Sequence, residues 1–218
     1  MKKKAIIFDM GGVLVDLDLD ATRKAFKEDL GYEAIDEILD PCHQKGIYGD
    51  LEEGLLSGEE FTDIILASSN EGSTAEDVAK AVWKILVSIA PYKVDMLRKL
   101  SESYDLYLLS NNNPIALPRA KEIFIESGIP MESIFKTCYY SYVLKTLKPQ
   151  AKFYKAVMED IGLPSEQLLF IDDSQRNVDG AVEAGLPAVY YKPGTDLAAL
   201  LADVLGEEGL KSISNVEA

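Results

Sequence analysis

Short apolar runs and helical stripes alternate along most of the chain. The first run, residues 4–8, is β-branched and aromatic and stops at Asp9-Met10-Gly11-Gly12, where paired glycines permit a tight turn. It predicts a strand with an acid at its carboxyl end. From residue 20 to about 88 the texture is helical. Ala21, Ala25, Phe26 and Leu30 form one stripe, Val78, Val82, Ile85 and Leu86 another, and no strand is predicted between them. Ser57 stands three residues before Glu60, and Thr74 three before Asp77, both helix-start signals. After Pro91 the pattern predicts a helix over 94–101, a strand over 105–109, a helix over 117–126 and a short strand near 135–138. A helix over 151–161, a strand over 167–171, a helix over 177–184, a strand over 188–191 and a last helical stretch follow. Strands separated by helices of this length predict an α/β fold with a doubly wound parallel sheet. The helical block then sits as an insertion after the first strand. That divides the chain into an α/β core, residues 1–15 and 93–218, and a helical cap, residues 16–92.

Length and composition support this division. The 218 residues, 47% hydrophobic and 27% charged, suffice for one sizeable core. The 37 acidic and 22 basic residues leave a net charge of −15, which repels nucleic-acid backbones and anionic lipid surfaces as bulk partners. The insertion holds 18 of the acids against 6 of the bases, so the rest of the chain is nearly neutral. A small phosphate ester remains compatible, because a buried site can gather a metal ion and a few donors against the global field. Cys42 and Cys138 lie far apart without a CxxC pair, which suggests neither a zinc site nor a disulfide framework and fits a reducing, cytoplasmic setting. The apolar run after Lys2-Lys3-Lys4 is cut by Asp9, and no later run is long enough to span a membrane. A monomer is compatible with these features.

In open parallel sheets, ligands bind beyond the carboxyl ends of the strands. Asp9 follows the first strand, Ser110 and Asn111 the next, Lys148 and Pro149 come after the strand at Cys138, and Asp172-Asp173 end the strand over 167–171. These residues offer a carboxylate nucleophile, hydroxyl and amide donors, an ammonium and a carboxylate pair for a hard cation. A phosphate monoester needs such parts. Its dianion repels a bare carboxylate, so in-line attack requires Mg²⁺ and positive donors around the non-bridging oxygens. Mg²⁺ takes one or two carboxylates besides water and substrate oxygen. Asp9 with Asp173 meets that count, and Asp172 is either a ligand or stands behind them. Lys148 would bridge Asp9 and a phosphate oxygen, while Ser110 and the amides near Asn111 would hold another oxygen. His43 is the only histidine, which removes a Ser/His/Asp triad and a multi-histidine zinc site.

The runs FDMGGVLVD at 8–16, LLSNNN at 108–113, LKP at 147–149 and FIDDSQRNVDGAVEAG at 170–185 resemble the four ordered motifs of the haloacid dehalogenase-type phosphohydrolases. The resemblance covers nearly the whole chain. The insertion is similar to the helical-bundle cap of one subgroup, and within it to the sugar-phosphate phosphatases, such as the glucose-1-phosphatases, and to the phosphatase domain of soluble epoxide hydrolases. The resemblance implies a Rossmann-like core, a Mg²⁺-dependent phosphatase and a small phosphorylated metabolite, a sugar phosphate, as substrate. It makes Asp9 the nucleophile that becomes an aspartyl-phosphate. Asp9, the Gly11 carbonyl, Asp172 and Asp173 become the metal ligands, and Ser110, Asn111 and Lys148 bind the phosphoryl group.

One position departs from the pattern. The family carries an acid where this chain has Gly11, and that acid protonates the leaving group and then activates water; losing such a group costs roughly 10²–10⁴-fold. Asp16 and Asp18, at the junction to the cap, are the substitutes considered, and without one, substrates with good leaving groups are favoured. Lys145 stands where the family commonly has glycine, and Pro149 directly after Lys148 selects Lys148 as the family's lysine. His43, Lys45 and Tyr48, in the early cap, are candidate leaving-group contacts, and Trp83 reads as cap core. Two alternatives stay open. One is 2-haloacid hydrolysis, in which Asp9 attacks carbon without a divalent metal; the other is a non-catalytic phosphate-ligand or protein-binding module, motivated by Gly11.

Overall fold

The computed structural model describes residues 3–40 and 46–213, so the expectations for Cys42, His43 and Lys45 lie outside the described residues. The chain begins with β1 (Ala5–Phe8) and a short β2 (Val15–Leu17), followed by α1 (Leu19–Lys24), α2 (Ile35–Ile38), α3 (Gly46–Glu53), α4 (Gly58–Leu66), α5 (Ala75–Trp83) and β3 (Leu86–Ile89). Then come α6 (Pro91–Ser101), β4 (Asp105–Ser110), α7 (Ala116–Glu126), α8 (Met131–Ile134), β5 (Thr137–Tyr140), α9 (Ser141–Leu144) and α10 (Ala151–Ile161). β6 (Leu168–Asp172), α11 (Gln175–Glu183), β7 (Ala188–Tyr190) and α12 (Leu197–Ile213) complete it.

The main sheet has the order β5-β4-β1-β6-β7, and every pairing in it is parallel. This is the doubly wound α/β architecture that the strand–helix alternation predicts. β1 lies at its centre, flanked by β4 and β6, so the residues after these three strands emerge side by side. Both faces of β1 are covered. Ile6 and Phe8 join the large core with Leu97, Leu100 and Phe124, while Ala5 and Ile7 join the opposite cluster with Phe153, Tyr154 and Phe170. A strand buried on both faces carries no polar alternation, which explains the continuous apolar run at 5–8. Ile6, Ile7 and Phe8 each contribute about 1.5–3 kcal/mol by leaving water.

The helical expectation for 20–88 is corrected at its end. Ile85 and Leu86 do not continue the α5 stripe, because α5 stops at Trp83 and Leu86 opens β3. β3 pairs antiparallel with β2, matching Val15 with Ile89 and Leu17 with Leu86. Strands this short, next to an apolar helix stripe, have no period of their own to betray them. The ribbon carries both chain connections between the sheet and the helical segment. The helix starts are as expected: Ser57 and Glu60 form a reciprocal capping box on α4, and Thr74 and Asp77 form one on α5. Phe26, Tyr48, Phe61, Val78 and Val82 bury their side chains in the core that also covers one face of the main sheet. Among the described residues, no helix is long and apolar enough to cross a membrane.

Candidate active site

The carboxyl ends of β1, β4 and β6 and the segment after α9 surround one cavity, lined by Asp9, Gly11, Ser110, Asn111, Lys148 and Asp173 among others. Asp9 is the first residue past β1, held because its amide donates to Ile171 O at 2.9 Å and so continues the parallel ladder into the loop. Its Oδ1 accepts from the Met10 amide at 2.6 Å and pairs with Lys148 Nζ at 2.8 Å. Oδ2 takes no hydrogen bond among the described residues, which leaves it the freer of the two oxygens.

Lys148 is almost fully buried, and its ammonium also donates to Asp172 Oδ2 at 2.7 Å and to Leu109 O at 3.2 Å, above the Phe170 ring. Burial alone would lower its pKa, but the Asp172 and Asp9 charges outweigh that and hold it above the ordinary lysine value. It is therefore a permanent cation. Lys145 is exposed and sits in the left-handed region with φ 50°, a conformation that suits glycine and explains the family's preference there. Lys148, not Lys145, is the lysine at the acids.

Asp172 is fully buried, and its other oxygen, Oδ1, accepts from the Ser174 amide at 2.8 Å and from Asn177 Nδ2 at 3.0 Å. Both of its oxygens are thus engaged, whereas Asp173 lies on the cavity wall. Gly12, at φ +75°, makes room for Asp173, because a Cβ there would lie 2.0 Å from Asp173 Oδ2. Asp9, Asp172 and Asp173 each offer an oxygen within 4.8 Å of the others. Burial first, and then the Asp172 charge, push Asp173 up to about 6; burial also raises Asp9, against the pull of Lys148. Three clustered carboxylates with one ammonium make a site that a small divalent cation fits, since hard oxygen donors are what Mg²⁺ selects and a 2+ charge relieves their repulsion.

Ser110 is buried in the wall with its hydroxyl donating to Asn111 O at 3.2 Å. Asn111 turns its side chain onto the Lys148 backbone, accepting from the amide and donating to the carbonyl, so any phosphoryl contact from it falls to the main chain. Asn113 accepts from the Ile115 and Ala116 amides and starts α7. The acids considered as substitutes for position 11 are engaged elsewhere: Asp16 pairs with Lys93 at 3.1 Å, and Asp18 caps α1 through the Ala21 amide. Neither lines the cavity. Trp83 is half-buried rather than deep in the core, and its ring N–H donates to Ile115 O at 2.7 Å. Tyr48 does reach the cavity, and its helix brings a residue that the sequence reading did not single out, Glu52. The pair is four residues apart on α3, which places both on one helical face.

The comparisons with known proteins agree with this geometry. The model of the haloacid dehalogenase-like hydrolase family matches residues 3–185. A D-ribitol-5-phosphate phosphatase from Bacteroides thetaiotaomicron is 33% identical over 203 residues, covering 93% of this chain and 98% of its own length. A HAD family enzyme from the same organism, solved as wild-type protein in complex with magnesium and inorganic phosphate, is 35% identical with a TM-score of 0.84 over 91% of this chain and 98% of that one. An L-2-haloacid dehalogenase from Xanthobacter autotrophicus, 18% identical with a TM-score of 0.61 over 95% of this chain and 86% of that one, shares the fold. The chain belongs to the haloacid dehalogenase-like hydrolase family.

Proposed function

We propose that this protein is a Mg²⁺-dependent phosphatase of small phosphorylated metabolites, with phosphorylated sugars and sugar alcohols as the substrate class. The observation that carries the reading is the cluster of Asp9, Asp172 and Asp173 around Lys148 at the carboxyl end of a parallel sheet. The comparisons support it, since a curated relative is a phosphatase of a sugar-alcohol phosphate and a solved relative is a complex with magnesium and inorganic phosphate. Asp9, Asp173 and the Gly11 carbonyl would hold Mg²⁺ with Asp172 at their back, and the ion supplies positive charge that lets a carboxylate approach a phosphate dianion.

The residues then divide the work. Asp9 Oδ2 attacks phosphorus in line while Lys148 holds Oδ1 and neutralises a non-bridging oxygen. Ser110 and the adjacent amides donate to a second oxygen, more strongly as charge shifts onto it. The leaving alcohol departs toward the helical segment, residues 16–92, which we read as a cap that excludes water when closed. Hydrolysis of phosphoryl-Asp9 returns the enzyme. The reading needs no nucleic acid, membrane or second chain, and a reducing cytoplasmic setting suits the free thiol of Cys138.

The test is phosphate release from D-ribitol 5-phosphate and from aldose phosphates, with Mg²⁺ and after chelation. Release that disappears with chelator and returns with Mg²⁺ supports the reading. Chloride release from a 2-haloacid that chelator leaves intact establishes the dehalogenase instead, and binding of phosphate ligands without turnover establishes the binding module.

A further inference from the structure

Position 11 holds no acid, and a side chain there would press on the tip of Leu17. A Cβ on Gly11 would meet Leu17 Cδ1 at 3.1 Å and Cδ2 at 3.4 Å. Asp16 and Asp18 are tied to Lys93 and to the start of α1. Among the described residues, the cavity nevertheless contains one carboxyl that is outside the Asp9–Asp172–Asp173 cluster. Glu52, on α3, lines the same cavity as Asp9, Ser110 and Lys148.

We infer that Glu52 is the general acid and base of this enzyme, supplied by the cap in place of the acid missing at position 11. The inference rests on the phosphatase reading and names the proton carrier for it. As Asp9 Oδ2 forms its bond to phosphorus and the phosphorus–alcohol bond breaks, the Glu52 carboxyl gives its proton to the departing alcohol oxygen. The carboxylate left behind takes a proton from the water that attacks phosphoryl-Asp9. Asp9 is released as a carboxylate, inorganic phosphate leaves, and Glu52 is again protonated, so each turnover closes without another proton carrier.

The position of Glu52 is built rather than incidental. The Ser141 hydroxyl donates to Glu52 O at 2.6 Å and accepts from the Asn112 amide at 2.9 Å, tying this turn of α3 to the end of β4. Gly54, at φ +74°, lets the chain pass α9 so closely that a Cβ would lie 2.2 Å from Tyr142 O. Gln150 Nε2 donates to Glu53 Oε1 at 3.0 Å, a third tie on the same segment.

The surroundings also keep the proton in place. Burial pushes Glu52 up to about 8 against the opposing Lys148 charge. Among the described residues, the titratable groups that share the cavity wall with it are Tyr48 from its own helix, Lys148 from the segment after α9, Asp9 after β1 and Asp173 after β6, and the one whose charge acts on it is Lys148. α2 and α4 meet α3 through apolar groups, Ile38 beside Gly46 and Phe61 on the Tyr48 ring. A carboxyl protonated at neutral pH is a proton donor ready for use, and the closeness of its pKa to the working pH is what general acid catalysis favours.

The experiment measures kcat/KM for wild type and Glu52→Gln on an aryl phosphate and on D-ribitol 5-phosphate, each across pH 6–10 with Mg²⁺. An aryl oxide leaves without help, whereas an alkoxide needs a proton. Glu52→Gln is expected to lose roughly 10²–10⁴-fold on the alkyl ester and much less on the aryl ester. The wild-type alkyl rate should fall as pH rises through about 8, where Glu52 gives up its proton, and the variant should lack that limb. Equal losses on both esters, or no loss on either, with the alkaline limb retained, overturn the inference while the phosphatase reading stands. A wild type that hydrolyses neither ester overturns both.

Discussion

The Asn111 side chain grips the backbone of Lys148 at both ends, its carbonyl accepting from the Lys148 amide at 2.9 Å and its amide donating to the Lys148 carbonyl at 3.2 Å. The end of β4 thereby fixes where the ammonium points, and Asp9 and Asp172 receive it. Asn111→Ala is expected to lower kcat about 10–100-fold, the range for losing a group that orients a site residue, with a smaller change in KM. A crystal structure of the variant should show Lys148 displaced; an unmoved lysine with reduced rate would assign Asn111 to substrate instead.

Lys148→Met removes the ammonium that pairs with Asp9 and Asp172. Breaking a buried pair costs about 3–5 kcal/mol because the partner charges are left behind, and chemical denaturation should register a loss of that size. The rate should fall about 10²–10³-fold even where the protein remains folded.

The strands of the main sheet and the acids at their ends could be read from the chain, because a buried parallel strand is a plain apolar run and the polar residue that ends it is conspicuous. Asp9, Ser110, Lys148 and Asp173 do line one cavity. The β2–β3 ribbon was hidden, since Val15–Leu17 and Leu86–Ile89 are too short to show a period and the second follows directly on the α5 stripe. Asn111 read as a phosphate contact, and its side-chain grip on the Lys148 backbone could not be seen because it spans 37 positions of sequence. Glu52 was one acid among the 18 of the insertion, and what distinguishes it, the ties of α3 to α9 and β4, exists only in the folded chain. Its spacing of four from Tyr48 was the available signal.

Gly11→Asp should partly restore Glu52→Gln. Gly11 does not occupy the left-handed region, so an L side chain is tolerated there, and the obstructing atoms are the flexible tip of Leu17. In the Glu52→Gln background the new carboxyl should raise kcat/KM on D-ribitol 5-phosphate at least about tenfold, a fraction of the general-acid effect, and change the aryl ester less. A double variant no faster than Glu52→Gln would show that position 11 cannot reach the leaving group in this fold.

Ser141→Ala removes the hydroxyl that joins Glu52 O to the Asn112 amide. Hydrogen exchange should then quicken in α3 while the main sheet stays protected, and the alkyl ester should be affected more than the aryl ester. Uniform exchange across α3 and the sheet in both proteins would contradict a cap held at this point.

The covalent step is open to direct observation. Wild type turning over D-ribitol 5-phosphate with Mg²⁺, quenched in acid and reduced with borohydride, should yield peptides in which Asp9 has become homoserine, the product expected of an acyl phosphate. The chelated enzyme should yield none, and Asp9→Asn should neither trap phosphate nor turn over. Full phosphate release with Asp9 unmodified, or turnover surviving in Asp9→Asn, would contradict phosphoryl transfer through Asp9.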